Sequence, residues 1–418
     1  MRFSIVGISA CLAAVCMASV VAETTSIGDG FNPALFGALP ECGASCLHQV
    51  GANFACDTNT TCVCTDGSVL HTLDNCFAYM CPSFEAAVSM KVHSLACDAP
   101  ARDRAPIITG VVVTLFVVAS IMMILRMSAR CPWIGGPGYG ADDYTVLVCY
   151  MLAIGMVAFH FVLVANGSGQ DFFNLTIPKI TNFLFYFYID QALYAPAIFV
   201  SKASMVLLYM RTWPSYGQWT LFRSICWVTL ACIIIATVVG EFIGIFYCSP
   251  ISVAWSLDKE ERKDKCVDLA TQAFAVAAVS IFLDIVVLML PISKLVELPI
   301  SVRQKFALCS VFMAGVIVTA LAIVRLNYIS AVDADILNVT YEFSIIGMWT
   351  MVEVLLSVIC VCMPAATGFM RRLCGPSHRF PSRSRSHPTE LDQEQLRTLS
   401  GSSVGFRGID AAGKAFTP

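Results

Sequence analysis

The chain has 418 residues, of which 57% are apolar and 13% are charged, and its net charge is −3. A soluble globular domain carries about 25% charged residues, so this composition excludes an ordinary soluble protein. A nucleic-acid-binding protein is also disfavoured, because such proteins carry a basic surface. Eight of the 20 cysteines lie between Cys42 and Cys97, which indicates a cysteine-rich part followed by a part that faces lipid.

Residues 1–22 have the pattern of a secretory signal peptide. Arg2 is followed by an apolar run and by small residues before a predicted cleavage site between Ala22 and Glu23. The alternative is a first transmembrane helix, but the run is short and leads directly into the cysteine-rich segment, which needs an oxidising compartment. We therefore expect residues 23–104 to be exported as an ectodomain.

The cysteine-rich segment is predicted to be held together by four disulfides. A domain of this size buries too little apolar surface to offset its chain entropy without such cross-links. The alternative is a zinc site, which the Cys62-Val63-Cys64 spacing does not fit. Sequence alone does not give the pairing of the eight cysteines: Cys42, Cys46, Cys56, Cys62, Cys64, Cys76, Cys81 and Cys97.

The spacing of these eight cysteines, together with Pro40-Glu41-Cys42-Gly43 before the second of them, resembles the CFEM domain of fungal extracellular membrane proteins. The resemblance has its core at 40–97 and implies a compact helical domain closed by four disulfides. Independently, apolar residues at intervals of three and four over Cys76–Val92 predict a helix.

Several CFEM domains bind haem through an aspartate three residues before the fourth cysteine. In this chain that position is Asn59, a neutral amide that binds ferric iron more weakly than a carboxylate. Asn59-Thr60-Thr61 is also a glycosylation sequon. Asp57 is the nearest carboxylate that could substitute. Haem is therefore kept as an alternative, and no cofactor or metal is assigned.

The apolar part, 105–368, is predicted to form seven transmembrane helices. Each apolar run is about 20 residues long and continuous, which is typical of helices and not of a β-barrel. The predicted crossings are Ile107–Leu125, Tyr144–Val164, Phe183–Met210, Ile225–Tyr247, Ala270–Pro291, Phe306–Leu326 and Phe343–Pro364.

An extracellular N-terminus and seven crossings place the C-terminus in the cytoplasm. The sequons at Asn59, Asn166, Asn174 and Asn338 then all fall on the extracellular side, where glycosylation occurs. Cys248 and Cys266 flank an extracellular loop, where they either form a disulfide or remain free thiols.

Opsin chemistry is excluded because Phe343–Pro364 lacks the lysine that binds retinal. Several segments instead resemble the fungal rhodopsin-like domain, which often follows a CFEM domain: Gly140–Tyr144, Gln191–Tyr194, Ser201–Ser204, Phe246–Pro250 and Trp349 with Glu353. The combined resemblance implies a GPCR-like plasma-membrane receptor of the pathogenicity-receptor class, which senses surface or host cues during infection.

Ionisable groups inside the predicted helices should face the bundle and pair, because exposing a charge to lipid is costly. This expectation applies to Lys202, Glu241, Asp284 and Glu353. We expect Lys202 to pair with Glu353 or Asp284, either around a ligand cavity or as a structural ion pair. Trp349, one turn from Glu353, either covers such a site or packs in the core.

Three further residues in the helices have simpler predictions. Asp190 and Arg325 are expected near extracellular helix ends that water reaches. His160 is expected to be a hydrogen-bonded core residue, because no second metal ligand stands at helical spacing.

The predicted cytoplasmic segments contain sequence features that are less specific for function. The basic loop Ser293–Lys305 either contacts a transducer or lies on the membrane surface. Cys374 is a candidate for palmitoylation, and the tail 369–418 is predicted to be disordered. No catalytic motif is present in the sequence, so an enzyme is not expected.

Three functions remain open at this point. The first is a receptor that binds the lipid bilayer, an extracellular ligand or host factor, and a heterotrimeric G protein or other transducer. The second is haem or iron acquisition, and the third is a surface or effector protein that acts on the host through its CFEM domain. Nucleic acid is not an expected partner.

Overall fold

The computed structural model describes residues 32–54, 60–98, 102–213, 221–256, 259–297, 302–331 and 338–374. The predicted signal peptide, Cys56, Asp57, Asn59 and the tail beyond residue 374 lie outside these residues. The side chains of Lys294, Arg303, Lys305 and Cys374 also lie outside them. All regular structure within the described residues is helical.

The cysteine-rich domain consists of a short 3-10 helix, Pro33–Ala38, and four α-helices. These are α1 (Glu41–Asn53), α2 (Thr60–Thr65), α3 (Gly67–Met80) and α4 (Ser83–Ala96). The prediction of one helix over Cys76–Val92 is wrong, because the chain breaks at Cys81 and Pro82. Proline lacks an amide hydrogen and disfavours a helical residue before it, and Cys81 is extended, with φ −102° and ψ 146°.

Disulfides and a small apolar core hold this domain together. Three bridges join Cys42 to Cys81, Cys46 to Cys76 and Cys64 to Cys97, and Cys62 is also disulfide-bonded. Val69, Leu73 and Phe77 on one face of α3 are completely buried between them. Each bridge stabilises the domain by about 2–4 kcal/mol through its restriction of the unfolded chain.

The apolar part forms seven long helices, and each predicted crossing lies on one of them, except that Ile225–Tyr247 runs two residues past the end of its helix. They are α5 (Ala105–Arg130), α6 (Ala141–Ala165), α7 (Ile177–Thr212), α8 (Leu221–Ile245), α10 (Leu269–Glu297), α11 (Val302–Ala331) and α12 (Val339–Cys374). The short α9 (Lys259–Lys265) lies between α8 and α10. Six of the seven are long and apolar enough to cross a membrane, and the described part of α11 contributes a shorter apolar segment, Gly315–Ile329.

Burial distinguishes the centre of the bundle from its lipid-facing surface. In α7 and α12 the most apolar windows are 72% and 83% buried, against 17–39% in the other four membrane-spanning helices. On α8, a run of large apolar side chains is exposed: Ile234, Ile235, Val238, Val239 and Phe242. Such a surface is unfavourable in water and favourable in lipid, so α7 and α12 form the core around which the other helices pack.

Candidate functional site

The linker between the two parts is fastened to the bundle by Asp171, which follows α6. Its carboxylate accepts a hydrogen bond of 2.8 Å from Arg102 and another of 2.8 Å from the Asn338 amide. The guanidinium groups of Arg102 and Arg104 also lie 4.5 and 3.9 Å from the centre of the Tyr341 ring. We call Arg102, Arg104, Asp171, Asn338 and Tyr341 the linker joint, and it connects the cysteine-rich domain to the first turn of α12.

The three described sequons differ in accessibility. Asn174 and Thr176 are exposed. By contrast, Asn338 uses both amide atoms, since it donates to Asp171 and accepts from the Phe172 amide at 2.9 Å, and Thr340 is completely buried. Asn166 is half-buried and donates to the Val162 carbonyl. The geometry thus favours Asn174 as a glycan acceptor over Asn166 and Asn338.

A disulfide constrains the loop between α8 and α10. Cys248 and Cys266, which the sequence predicts either as a pair or as free thiols, are joined by an S–S bond of 2.00 Å. The loop they enclose carries Trp255, whose ring contacts the rings of Phe185 and Tyr188 at 5.2 and 5.7 Å between centroids. The bridge therefore holds the loop against α7.

The central network of buried charges forms two separate groups. Lys202 pairs with Asp284. Glu353 accepts a hydrogen bond of 2.9 Å from the Tyr194 hydroxyl, which in turn accepts one of 2.6 Å from Arg325. Of the two partners expected for Lys202, the structure selects Asp284, and Glu353 is paired through Tyr194 and Arg325.

Two residues that we expected near water are buried. The exposed fractions of Asp190 and Arg325 are 1% and 3%, so the prediction that water reaches both is wrong. The helices that carry them, α7 and α11, begin or end several residues beyond the predicted apolar runs, which places both residues inside the bundle. Arg325 is compensated there by Tyr194, Glu353 and the Thr350 hydroxyl at 3.1 Å.

Trp349 and His160 lie in the core of the bundle. Trp349 is 2% exposed and stacks on Tyr328 with 5.9 Å between ring centroids, so it packs against α11. His160 Nε2 lies 3.2 Å from the Thr109 hydroxyl. This contact is that of a hydrogen-bonded core histidine and ties α6 to α5.

Glu241 differs from the other intramembrane charges. Its Oε2 has no hydrogen-bond partner among the described residues, contrary to the expectation that it would pair. It lines a cavity of about 70 Å³ between α7, α8 and α10, at the end of the bundle that carries the cysteine-rich domain. Glu241 therefore lines the cavity, and one of its carboxylate oxygens is buried without a protein partner among the described residues.

The opposite end of the bundle is held by a cluster that we call the far-end cluster: Arg126, Arg130, Asp142, Asp143 and Arg211. Arg126 is completely buried and donates to both aspartates, at 2.8 and 2.9 Å. Arg211 donates to the same two carboxylates at 2.9 and 2.8 Å. The cluster therefore ties α5, α6 and α7 together.

The far-end cluster also reaches α12. The third guanidinium contact of Arg126 is a hydrogen bond of 2.6 Å from Nη1 to the Val361 carbonyl. Pro364 lies inside α12 three residues beyond Val361, and its missing amide hydrogen leaves the carbonyl of the preceding residue, Cys360, without its usual helical donor. The hydrogen bond from Arg126 therefore lies beside a proline interruption of α12.

The sequence analysis does not identify the partners in this cluster, although Asp142 and Asp143 stand within a segment that carries the family resemblance. A signal was nevertheless present. Arg126 and Arg130 are four residues apart, on one face of the last turns of α5, and the two aspartates open α6 after a connection of ten residues. A short connection brings these helix ends to the same level.

Neither His93 nor the family's ligand position in the CFEM domain offers a ligand suited to haem iron. His93 is 6% exposed, and its Nε2 lies 3.5 Å from the bridged sulfur of Cys97. Burial lowers the pKa of His93, while the Val63 carbonyl accepts a hydrogen bond from its ring. The family's ligand position holds Asn59, a carboxamide, so these residues do not fit haem iron.

A disulfide-bonded helical domain on a bundle of membrane-spanning helices defines the class of protein. Residues 125–372 match the Fungal rhodopsin domain and residues 35–98 match the CFEM domain. The first match covers more than half of the chain, which therefore belongs to the fungal rhodopsin domain family and carries a CFEM domain before it. Both resemblances inferred from the sequence are confirmed.

Two curated relatives are similar to the helical part. A SAT4 family membrane protein of Emericella nidulans is 30% identical over 213 residues, which are 50% of this chain and 52% of the relative. The polyenoic acids biosynthesis gene cluster protein Ba17b of Metarhizium anisopliae is 26% identical over 237 residues, which are 53% of this chain and 63% of the relative. The chain thus spans between half and two thirds of these relatives. No solved structure matches.

Proposed function

We propose that the protein is a plasma-membrane receptor whose signal is carried by α12. The observation that carries this proposal is that buried polar or charged groups hold α12 at three levels. Tyr341 lies in the linker joint, Glu353 in the central network, and the Val361 carbonyl on Arg126. Tyr341 and Val361 are about 30 Å apart along the helix, which is the thickness of the hydrocarbon core.

Buried charge networks are suited to a conformational switch, because each buried charge has to be paired with one specific partner or another. Removing one member leaves the other charge buried and unpaired, which costs about 3–5 kcal/mol. The helices therefore do not slide continuously, and a rearrangement has to exchange one set of partners for another. A displacement of α12 at the linker joint or the central network would in this way change the hydrogen bond between Arg126 and the Val361 carbonyl.

The orientation that we propose places the CFEM domain outside the cell. Disulfides persist in oxidising compartments, and both the CFEM bridges and the Cys248–Cys266 bridge lie at the same end of the bundle. The exposed sequon at Asn174 is at that end too. The far-end cluster then faces the cytoplasm.

The cytoplasmic face offers a contact for a transducer. The side chains of Arg130 and Arg211 are 15% and 28% exposed, whereas those of Asp142 and Asp143 are only 1% exposed. The cluster therefore presents positive charge outwards. We place the contact with a heterotrimeric G protein or other transducer on this surface, together with the basic segment Ser293–Lys305. The sequence predicts a loop there, but the segment includes the end of α10 and the start of α11.

The experiment that tests the proposal compares two phenotypes of a strain lacking the gene. We expect the strain to lose its cyclic-AMP response to surface contact and to grow normally with haem as its sole iron source. Re-expression of the full chain restores the response. A normal cyclic-AMP response together with poor growth on haem would contradict the receptor and favour iron acquisition. Release of the CFEM domain from the membrane, with both phenotypes normal, would favour an effector.

A further inference from the structure

The cavity beside Glu241 has the features of a ligand site. It opens next to the loop closed by Cys248 and Cys266, since Ala254 and Arg262 from that region line it. Its walls are apolar and aromatic, with Phe187, Tyr188 and Tyr247 among them. Small-molecule sites are typically concave, mostly apolar and furnished with a few convergent polar groups.

Three residues that line this cavity, on three different helices, each have a buried polar atom without a hydrogen-bond partner among the described residues. They are Gln191 Nε2 on α7, Glu241 Oε2 on α8 and Gln272 Oε1 on α10. Buried polar groups in native proteins are almost always hydrogen-bonded. Three exceptions around one cavity indicate that a bound molecule supplies the missing bonds.

The chemistry of the lining limits what that molecule is. Glu241 is the only acidic residue among the described residues that line the cavity, which also include Arg262 and Arg325. Arg325 is held by Tyr194, Thr350 and Glu353, and the unpartnered set comprises two acceptors and one donor. The nearby aromatic rings, including Tyr188 and Tyr247 at 6.0 Å between centroids, favour a cation through the negative faces of their π-systems.

We propose that this cavity binds a small organic ammonium compound whose charge pairs with Glu241. This inference rests on the proposed function and names the ligand class of the receptor. The amide oxygen of Gln272 accepts a second hydrogen bond from the ligand. Gln191 and Arg262, at the other side and the mouth of the cavity, bind a hydroxyl, carbonyl or carboxylate on the same molecule.

The floor of the cavity leads to α12. Tyr194 and Arg325 line the cavity and are also the partners of Glu353. Arg325 lies over the Tyr194 ring, with 4.2 Å between the guanidinium carbon and the ring centroid. A ligand that displaces either side chain therefore changes the pairing of Glu353 directly.

The test uses four small phenols that share one ring and differ in charge. Tyramine carries an ammonium group, tyrosine is a zwitterion, tyrosol is neutral and 4-hydroxyphenylacetate is an anion. Each is added at millimolar concentration to the purified full chain in lipid nanodiscs, and the unfolding temperature is recorded. A ligand that binds only the native state raises this temperature. We expect a rise with tyramine and tyrosine, and none with tyrosol or 4-hydroxyphenylacetate.

Two variants and a matched control locate the effect. Glu241→Gln keeps the shape and removes the charge, so we expect the affinity for tyramine to fall about 10- to 100-fold, the loss typical of a charged hydrogen bond. Gly244→Leu places a bulky side chain in the cavity, since a Cβ there lies 3.5 Å from Gln272 Nε2 in ordinary contact, and we expect it to abolish the shift. Glu342→Gln removes a half-buried acid that does not line the cavity and should leave the shift unchanged.

The outcomes separate the ligand class from the receptor role. An equal shift with tyrosol, a tyramine shift that persists in Glu241→Gln, or no shift with any of the four compounds would overturn the ammonium site. If the site fails while the deletion strain still loses its cyclic-AMP response, the receptor stands and only the ligand class is wrong. If tyramine binds through Glu241 but the deletion strain signals normally, the site stands and the receptor proposal fails.

Discussion

Arg126 and Val361 are 235 positions apart in the sequence, yet a hydrogen bond of 2.6 Å joins the guanidinium of one to the backbone carbonyl of the other. The guanidinium is completely buried and holds both Asp142 and Asp143 with its other nitrogens. One side chain thus links α5 and α6 to α12 at the far end of the bundle. Any movement of α12 at this level has to break or stretch a charged contact.

Replacement of Arg126 should lower the stability of the protein far more than replacement of Arg211. In Arg126→Gln the carboxylates of Asp142 and Asp143 lose their buried partner, and we expect stability to fall by about 3–5 kcal/mol. Arg211→Gln removes a partly exposed guanidinium from the same carboxylates, so its effect should be clearly smaller. Unfolding temperatures of the full chain in nanodiscs measure both, and equal losses would count against the central role of Arg126.

Replacements of Lys202 and Asp284 should have strongly non-additive effects on the amount of protein at the cell surface. Lys202→Met or Asp284→Leu alone leaves one buried charge unpaired, and we expect each to reduce the amount of protein at the cell surface. The double variant removes both charges and should recover much of the loss, because an apolar pair of similar size often replaces a buried ion pair at little cost. Exchange of charges between Lys202 and Glu353 should not restore expression, and restoration would show that these two residues pair instead.

Glycosylation should occur at Asn174 and not at Asn338. Asn174→Gln should remove one glycan, seen as a shift in electrophoretic mobility that enzymatic deglycosylation also produces. Asn338→Gln should leave the glycans unchanged, because the Asn338 amide is held by Asp171 and the Phe172 amide. Loss of a glycan in Asn338→Gln would mean that the linker joint forms differently from the arrangement described above.

The CFEM domain should lose stability in mild acid through His93. Burial lowers the pKa of His93 from its ordinary value of 6.5, so below that value the unfolded chain binds a proton that the folded domain does not. Stability is therefore fully present at neutral pH and falls as the pH drops through 6.5, by at most about 1.4 kcal/mol per pH unit.

Hydrogen exchange of the α4 amides in the full chain measures this loss after correction for the intrinsic exchange rates. His93→Gln should remove the loss of stability in acid, while replacement of the exposed His71 by glutamine should leave that loss in place. A pH dependence of the same size in both variants would assign the effect to another group.

The parts of the fold that depend on composition could be predicted. Apolar runs long enough to cross lipid identified all seven long helices, because the bilayer selects for length and hydropathy whatever the order of the helices. The cysteine spacing likewise identified the CFEM domain. Its pairing could not be predicted, because it depends on how the helices fold over one another, and Pro82 ends a helix that the apolar spacing alone would continue.

The charge partners could be predicted only in part. Membrane energetics required that Lys202 and Glu353 face the bundle, but their partners depend on the rotation and depth of each helix. Asp190 and Arg325 were misplaced for a related reason. Arg325 is paired inside the protein with Tyr194, Thr350 and Glu353, and a pairing between distant segments leaves no mark in either segment alone. The burial of Asp190 is not explained in this way, because its Oδ1 has no hydrogen-bond partner among the described residues.

The cyclic-AMP response to surface contact in cells that carry Glu353→Gln tests most directly the proposal that α12 transmits the signal. This change keeps the size of the side chain but removes the charge that Arg325 and Tyr194 hold on α12. With variants compared at equal surface amounts and Glu342→Gln as the control, we expect Glu353→Gln either to abolish the response or to make it constant without contact. A response in Glu353→Gln that matches the unmodified chain would contradict transmission through α12.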